Sequence, residues 1–223
     1  EELSSARVVA LLALPEVNAF QGVGEQSIET GVATLGGSAA FTVSQGTNVN
    51  GYLTNILDAE QGRAFVDRSG VFTFQKRIGT TLAGAVVDFG DNDPAHTPYD
   101  QVTINFGADK VVNRASVTHL GSSSTQTAED LASQAEYLIQ AVSYNNSLVH
   151  DNASAVTLAE YLIVPDPTPV LTSVSSPFQM LSNAERDTIA IVDIGDTITI
   201  EKTIQTRTSN GRIWYSFTQP INV

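Results

Sequence analysis

Residues 47–77 read TNVNGYLTNILDAEQGRAFVDRSGVFTFQKR. Val49, Tyr52, Leu53, Ile56 and Leu57 recur at spacings of three and four, which places them along one stripe of an amphipathic helix. Thr47 or Asn48 can cap its start by accepting a hydrogen bond from a first-turn amide, and Gly62 stands where helices commonly end in a left-handed residue. The period then drops to two. Residues 64–66 and 71–75 are short β-prone runs, and Asp67, Arg68, Ser69 and Gly70 between them supply the chemistry of a hairpin turn. Each fully buried apolar side chain is worth roughly 1.5–3 kcal/mol, so a helix and hairpin of this composition must dock on something.

Outward from this unit the pattern is mixed. Towards the N-terminus, Ser4 or Ser5 can cap a short helix carrying Val8, Val9, Leu11 and Leu12 and stopped by Pro15. Residues 16–46 read as loop and short strands, with Phe41 and Val43 as an alternating pair. Towards the C-terminus, residues 89–99 (FGDNDPAHTPY) have linker composition and predict a domain boundary near Pro94. Beyond it, Val102, Ile104 and Phe106, then Val111 and Val117, predict strands of an antiparallel sheet. Thr127 with Asp130 forms a capping-box pattern for a short helix to Tyr137. Asp151 caps a longer helix with Ala155, Val156, Ala159, Leu162 and Ile163 on its apolar stripe. Prolines 165, 167 and 169 launch a strand at 170–174, a connector helix lies around 183–185, and alternating strands follow a turn at Ile194, Gly195 and Asp196.

The stretch from Gly62 to Phe74, G-R-x-F-V-D-R-x-G-x-x-x-F after a helix, resembles the minor tail proteins of long-tailed bacteriophages, especially those of actinobacteria. Residues 98–118 (PYDQVTINFGADKVVNRASVT) are similar to the strand pair that opens the second domain of those proteins. The family carries glycine after the tyrosine that corresponds to Tyr137; here Leu138 takes its place. The order of strand pair, flanking helix, return strand, D-I-G-D turn and final pair is similar to the β-barrel domain shared by tail-tube and hub proteins. The resemblance implies an α+β fold: a peripheral helix-and-hairpin domain over residues 1–95, then a hub-like antiparallel β-barrel over 96–223 flanked by the helix at 152–163. It implies a structural virion protein, a minor tail or hub subunit forming a homotrimeric ring at the tail's distal end. Expected partners are distal tail, tape measure, and tip or fibre proteins. An alternative role is host-surface glycan recognition.

Composition narrows the chemistry. The formal charge is -13, from 24 acidic and 11 basic residues, which repels nucleic-acid backbones from an outer surface, although an acidic wall also suits a conduit through which DNA slides. No nucleic-acid specificity is expected. The absence of cysteine removes disulfides and thiolate metal sites. The longest apolar run, residues 8–14, is far short of the ~20 residues that span a bilayer. A start without methionine reads as an interior piece of a longer protein.

Candidate catalytic, cofactor-binding and metal residues are therefore assigned as none. His96, His119 and His150 lack ligand spacing, and no G-x-S-x-G elbow occurs around the serines at 122–124. Gly22-Val23-Gly24 lacks the third glycine of a phosphate loop. Asp88, Asp91 and Asp93 supply hard oxygens for Ca²⁺ without the twelfth-position glutamate of an EF-hand. Tyr137, Tyr144, Trp214, Tyr215 and Phe217 are too dispersed for a sugar platform. The expectation is a protein without enzymatic activity.

Overall fold

The computed structural model describes residues 1–36, 46–77, 84–91, 93–105, 110–167, 170–208 and 211–222. The first half runs β1 (Glu2–Leu3), α1 (Ser4–Leu12), β2 (Gln26–Ile28), β3 (Thr34–Leu35), α2 (Val49–Glu60), β4 (Arg63–Val66), β5 (Phe72–Gln75), β6 (Val87–Gly90) and β7 (Gln101–Asn105). The second half runs β8 (Arg114–His119), β9 (Gln126–Glu129), α3 (Leu131–Tyr137), β10 (Ala141–Ser147), α4 (Asn152–Tyr161), β11 (Val170–Ser175), α5 (Asn183–Ala190), β12 (Thr197–Thr208) and β13 (Gly211–Asn222). The fold is α+β.

Two compact units form, each from two separated stretches: Glu1–Ile78 with Ala108–Pro167, and Gly79–Gly107 with Thr168–Val223. This partition differs from 1–95 and 96–223. Pro94 lies inside the second unit because the linker-like residues around it are folded: β6 pairs with β12, Thr97 bridges Phe89, and both Phe89 and Thr97 are buried.

In the first unit, α2 follows the sequence pattern closely. Asn48 is its N-cap, accepting from the amides of Asn50 and Gly51, and Ile56 is fully buried while Val49, Tyr52, Leu53 and Leu57 pack half-buried against the same core. The left-handed residue at its end is Gln61 (φ 56°), not Gly62. Glycine is required at 62 for another reason: a Cβ there would collide with the Gln75 carbonyl oxygen. β4 and β5 form the antiparallel hairpin, with Gly70 at φ 82° and the Asp67 carboxylate accepting from the amides of Ser69 and Val71.

Ser4 and Ser5 do not cap α1. Its N-cap is Leu3, and the Ser4 hydroxyl instead donates to Glu60, 56 residues away. Val8, Leu11 and Leu12 enter the core with Leu35, Phe72, Phe74, Val117, Val149 and Leu158, while Val9 faces outward. Asp151 caps α4 through the Ser154 amide, and α4 packs over β8 and β9. Asp130 caps α3, accepting from the Ser133 amide, whereas Thr127 belongs to β9 and takes no part in a capping box.

Pairing is mixed rather than antiparallel throughout. β2 with β5, β8 with β10, and β6 with β12 are parallel. A parallel neighbour needs a crossover, and α2 with β4 supplies one for the first pair, β9 with α3 for the second. The sheets hold two or three strands each, in the orders β1-β3, β2-β5-β4, β10-β8-β9, β7-β11 and β6-β12-β13, and none closes into a barrel among the described residues. The helix expected to flank a barrel, α4, packs in the first unit, whereas β12 and β13 belong to the second. The second unit's core is Val87, Phe89, Ile198 and Ile200, joined by half-buried Tyr99, Val102, Ile104, Val174, Ile189 and Val192. Its α5 begins with a capping box between Ser182 and Glu185, and Gly195 turns into β12 at φ 94°. Phe41, Val43 and Phe106 lie outside the described residues.

Leu138, one of four non-glycine residues with positive φ among the described residues, stands in an unusual backbone position. At φ 61° and ψ 176° it occupies a region that only glycine adopts without strain, yet its side chain is 74% exposed. Replacing it with glycine relieves strain of about 1–3 kcal/mol, set against about 0.5–1 kcal/mol of added unfolded-state entropy. Leu138→Gly is therefore expected to stabilise the protein by about 1 kcal/mol, read as a higher urea midpoint with unchanged slope.

Candidate functional site

Ionisable side chains converge in a cleft of about 510 Å³ in the second unit, lined by Gly90, Asp91, Asp93, Pro94, His96, Pro98, Tyr99 and Glu185. Three elements build it. β6 ends at Gly90, whose missing side chain leaves room for the His96 ring; the turn after β6 carries Asp93 and His96; and β12 brings Glu201 and Lys202 alongside.

The polar groups are held by one another. Lys202 Nζ donates to Asp91 Oδ2 at 2.9 Å and lies 5.4 Å from the Tyr99 ring centroid. That hydrogen bond is the main influence raising the Lys202 pKa, so its ammonium stays charged. Tyr99 donates from its hydroxyl to the Glu201 carbonyl at 3.2 Å, and burial first, then the Asp91 charge, pushes its phenol up. His96 Nδ1 lies 3.5 Å from Glu201 Oε2 without forming a hydrogen bond. Asp93 Oδ1 accepts from the Ala95 amide, and Glu185 serves the cap of α5. The chemistry such a set supports is ion pairing and turn closure.

The other singled-out residues are dispersed. His150 Nε2 lies 2.8 Å from Glu1 Oε2, and His119 Nδ1 is 3.2 Å from the Leu120 carbonyl. Asp88 is exposed, Asp91 is paired with Lys202 and Asp93 closes its turn; no group of three or more His, Asp or Glu placed to hold a metal occurs among the described residues. The amide of Gly22 is taken by the Glu25 carboxylate at 2.9 Å, where a phosphate loop would leave it open. Ser122 and Ser124 hydrogen-bond each other within an exposed loop. Tyr144 packs against the first unit's core, and the side chains of Trp214, Tyr215 and Phe217 lie outside the described residues. No helix of the described residues is long and apolar enough to cross a membrane.

Sequence reasoning missed a fully buried polar centre, Glu60 in the first unit. Its carboxylate accepts from Ser4 Oγ (2.5 Å), Ala33 N (2.7 Å), Val32 N (3.1 Å) and Arg77 N (3.3 Å), and it is fully buried. It ties α1, the approach to β3, α2 and the end of the hairpin together. No motif announces it, because its partners are 17 to 56 residues away. Among the exposed large apolar side chains, Leu131, Leu138 and Ile139 lie at the two ends of α3, and Phe178, Met180, Ile191 and Ile194 on either side of α5, while others such as Val23 and Leu120 are scattered. Arg186 of α5 stacks 5.2 Å over the Phe178 ring.

Two carboxylates at helix N-termini give the protein an acid-sensitive component. The Ser154 amide holds Asp151 below the usual carboxylate range, and the Ser182 hydroxyl does the same for Glu185. Both are more acidic folded than unfolded, so the unfolded chain binds more protons as the pH falls. Their stabilisation is complete above the ordinary carboxylate values near pH ~4 and disappears as pH drops through the lower folded values. The urea midpoint is expected to fall across that window, and Asp151→Asn with Glu185→Gln is expected to flatten the fall.

No protein-family model matches the chain, and no curated protein matches it. Among solved structures it is distantly similar to the tail protein from Neisseria meningitidis MC58, with 14% identity and a TM-score of 0.42. The match covers 71% of this chain and 44% of that one, so the chain spans less than half the length of this neighbour.

Proposed function

We propose that the chain is a structural, non-catalytic subunit of a phage tail, a minor tail or hub protein whose copies form a ring at the tail's distal end. The observation that carries this is a contrast. The ionisable groups of the second unit's cleft serve ion pairs and turns, while large apolar side chains stand exposed beside α3 and α5. One of them, Leu138, is held there in strained backbone, and exposed apolar side chains grouped beside one helix suit contact with another molecule. The motif from Gly62 to Phe74 supports the same reading, and the distant neighbour is itself a tail protein.

In this role the ring is a homotrimer whose β-rich parts enclose a lumen, with distal tail, tape measure, and tip or fibre proteins as neighbours. Obligate interfaces of this kind bury on the order of 2,000–5,000 Å². Light scattering of the purified full-length protein tests it: a single species of three chain masses is the expected result. A monodisperse monomer at micromolar concentration counts against it.

A further inference from the structure

Arg77 follows the hairpin, and its guanidinium is only partly used. Glu60 lies 3.8 Å from its Nε, but the carboxylate's oxygens already accept from Ser4, Val32, Ala33 and the Arg77 amide. The pair is thus a charge contact without a hydrogen bond, and the buried Nε has no acceptor. One terminal nitrogen donates to the Ala59 carbonyl at 3.4 Å, and the plane lies 4.9 Å from the Tyr161 ring centroid. Buried donors rarely go unmatched.

Arg77 also lines a pocket of about 220 Å³ with Val32, Ala33, Thr34, Val149, Ser154 and Thr157, open to the surface beside the exposed Val32 and Thr157. A dry cavity of roughly 150 Å³ holds benzene, so this one admits a group of that size or somewhat larger. Its walls are divided: one cation, hydroxyl-bearing Thr34, Ser154 and Thr157, and an apolar side formed by Val32, Ala33 and Val149. We propose that this cavity binds a carboxylate on a short aliphatic stem, the guanidinium taking the head and the apolar side the stem. A planar monoanion matches the guanidinium fork and adds one negative charge close to Glu60, whereas a phosphate dianion would add two.

Butyrate titrated into the full chain tests this, read by amide NMR shifts of Thr34, Val149, Ser154 and Thr157, with butyramide as the uncharged control. Saturable shifts with butyrate, absent with butyramide, are expected, with a Kd on the order of millimolar. Arg77→Gln is expected to weaken binding about tenfold or more. Thr157→Met fills the cavity without touching the Glu60 contacts, so it must also abolish the shifts and serves if the arginine variant does not fold. Acetyl-Ala-Ala, a chain-borne carboxylate, binds more tightly than butyrate if the natural group is a protein terminus, and less tightly if it is a free acid. Equal shifts with butyramide, no saturation, or undiminished binding in either variant would overturn the assignment.

Discussion

Glu60→Ala is expected to destabilise the protein by about 3–5 kcal/mol, the cost of leaving a buried ionic and hydrogen-bonded centre without one partner. The substitution strands the Ser4 hydroxyl, the amides of Val32, Ala33 and Arg77, and the Arg77 guanidinium in the interior. The Ser4 hydroxyl and the Ala33 amide are the most enclosed of these groups, their bonds to Glu60 being buried, whereas those of Val32 and Arg77 are part-buried. Glu60→Gln keeps one acceptor but aims an NH₂ at backbone amides, so it falls between wild type and alanine. An exposed control, Glu16→Ala, is expected within about 0.5 kcal/mol of wild type. Urea denaturation at neutral pH measures all three, and a Glu60→Ala loss below about 1 kcal/mol would show that the centre is dispensable.

The second large effect is expected at Asn113, a fully buried amide in the same unit. Its Nδ2 donates to the Leu138 carbonyl at 2.7 Å and to Ser133 Oγ at 3.3 Å, and its Oδ1 accepts from the Gln140 amide at 2.8 Å. This one side chain therefore fixes the turn between α3 and β10, and it holds Leu138 in its strained conformation. Asn113→Ala leaves two backbone groups without partners at about 1–3 kcal/mol each, for a total of about 2–6 kcal/mol. Hydrogen exchange supplies a second check: the Gln140 amide should lose protection in the variant while the α2 amides keep theirs at matched stability.

What was legible in the sequence was local. The stripe of α2, its Asn48 cap, the Gly70 turn, the Asp151 cap and the α5 helix all depend on residues within about one helical turn of each other. What was not legible depends on distant partners. Ser4 looks like a cap until Glu60 is placed beside it. Gly62 looks like a left-handed C-cap, but its smallness answers the Gln75 carbonyl across the hairpin. Leu158, fully buried, escapes the stripe drawn from Ala155, Val156 and Ala159 because the face of α4 is set by where β8 and β9 lie. The segment around Pro94 has the composition of a linker, yet β6 before it finds β12 more than a hundred residues later. Strand direction was equally hidden, since α2 and α3 turn neighbours parallel that alternation alone leaves undirected.

The candidate site divides the same way. The dispersal of the three histidines was readable from spacing, whereas the Asp91–Lys202 pair and the placement of Tyr99 over it needed β6 and β12 to meet. Arg77 carried no signal at all, because the value of its guanidinium depends on Glu60 being satisfied by others.

Imaging of tailed phage particles that carry the protein, labelled with gold-conjugated antibody raised against this chain, tests the assembly role most directly. Gold is expected at the distal end of the tail and nowhere else on the particle. Label confined to the capsid, or none on intact particles that contain the protein, would contradict it.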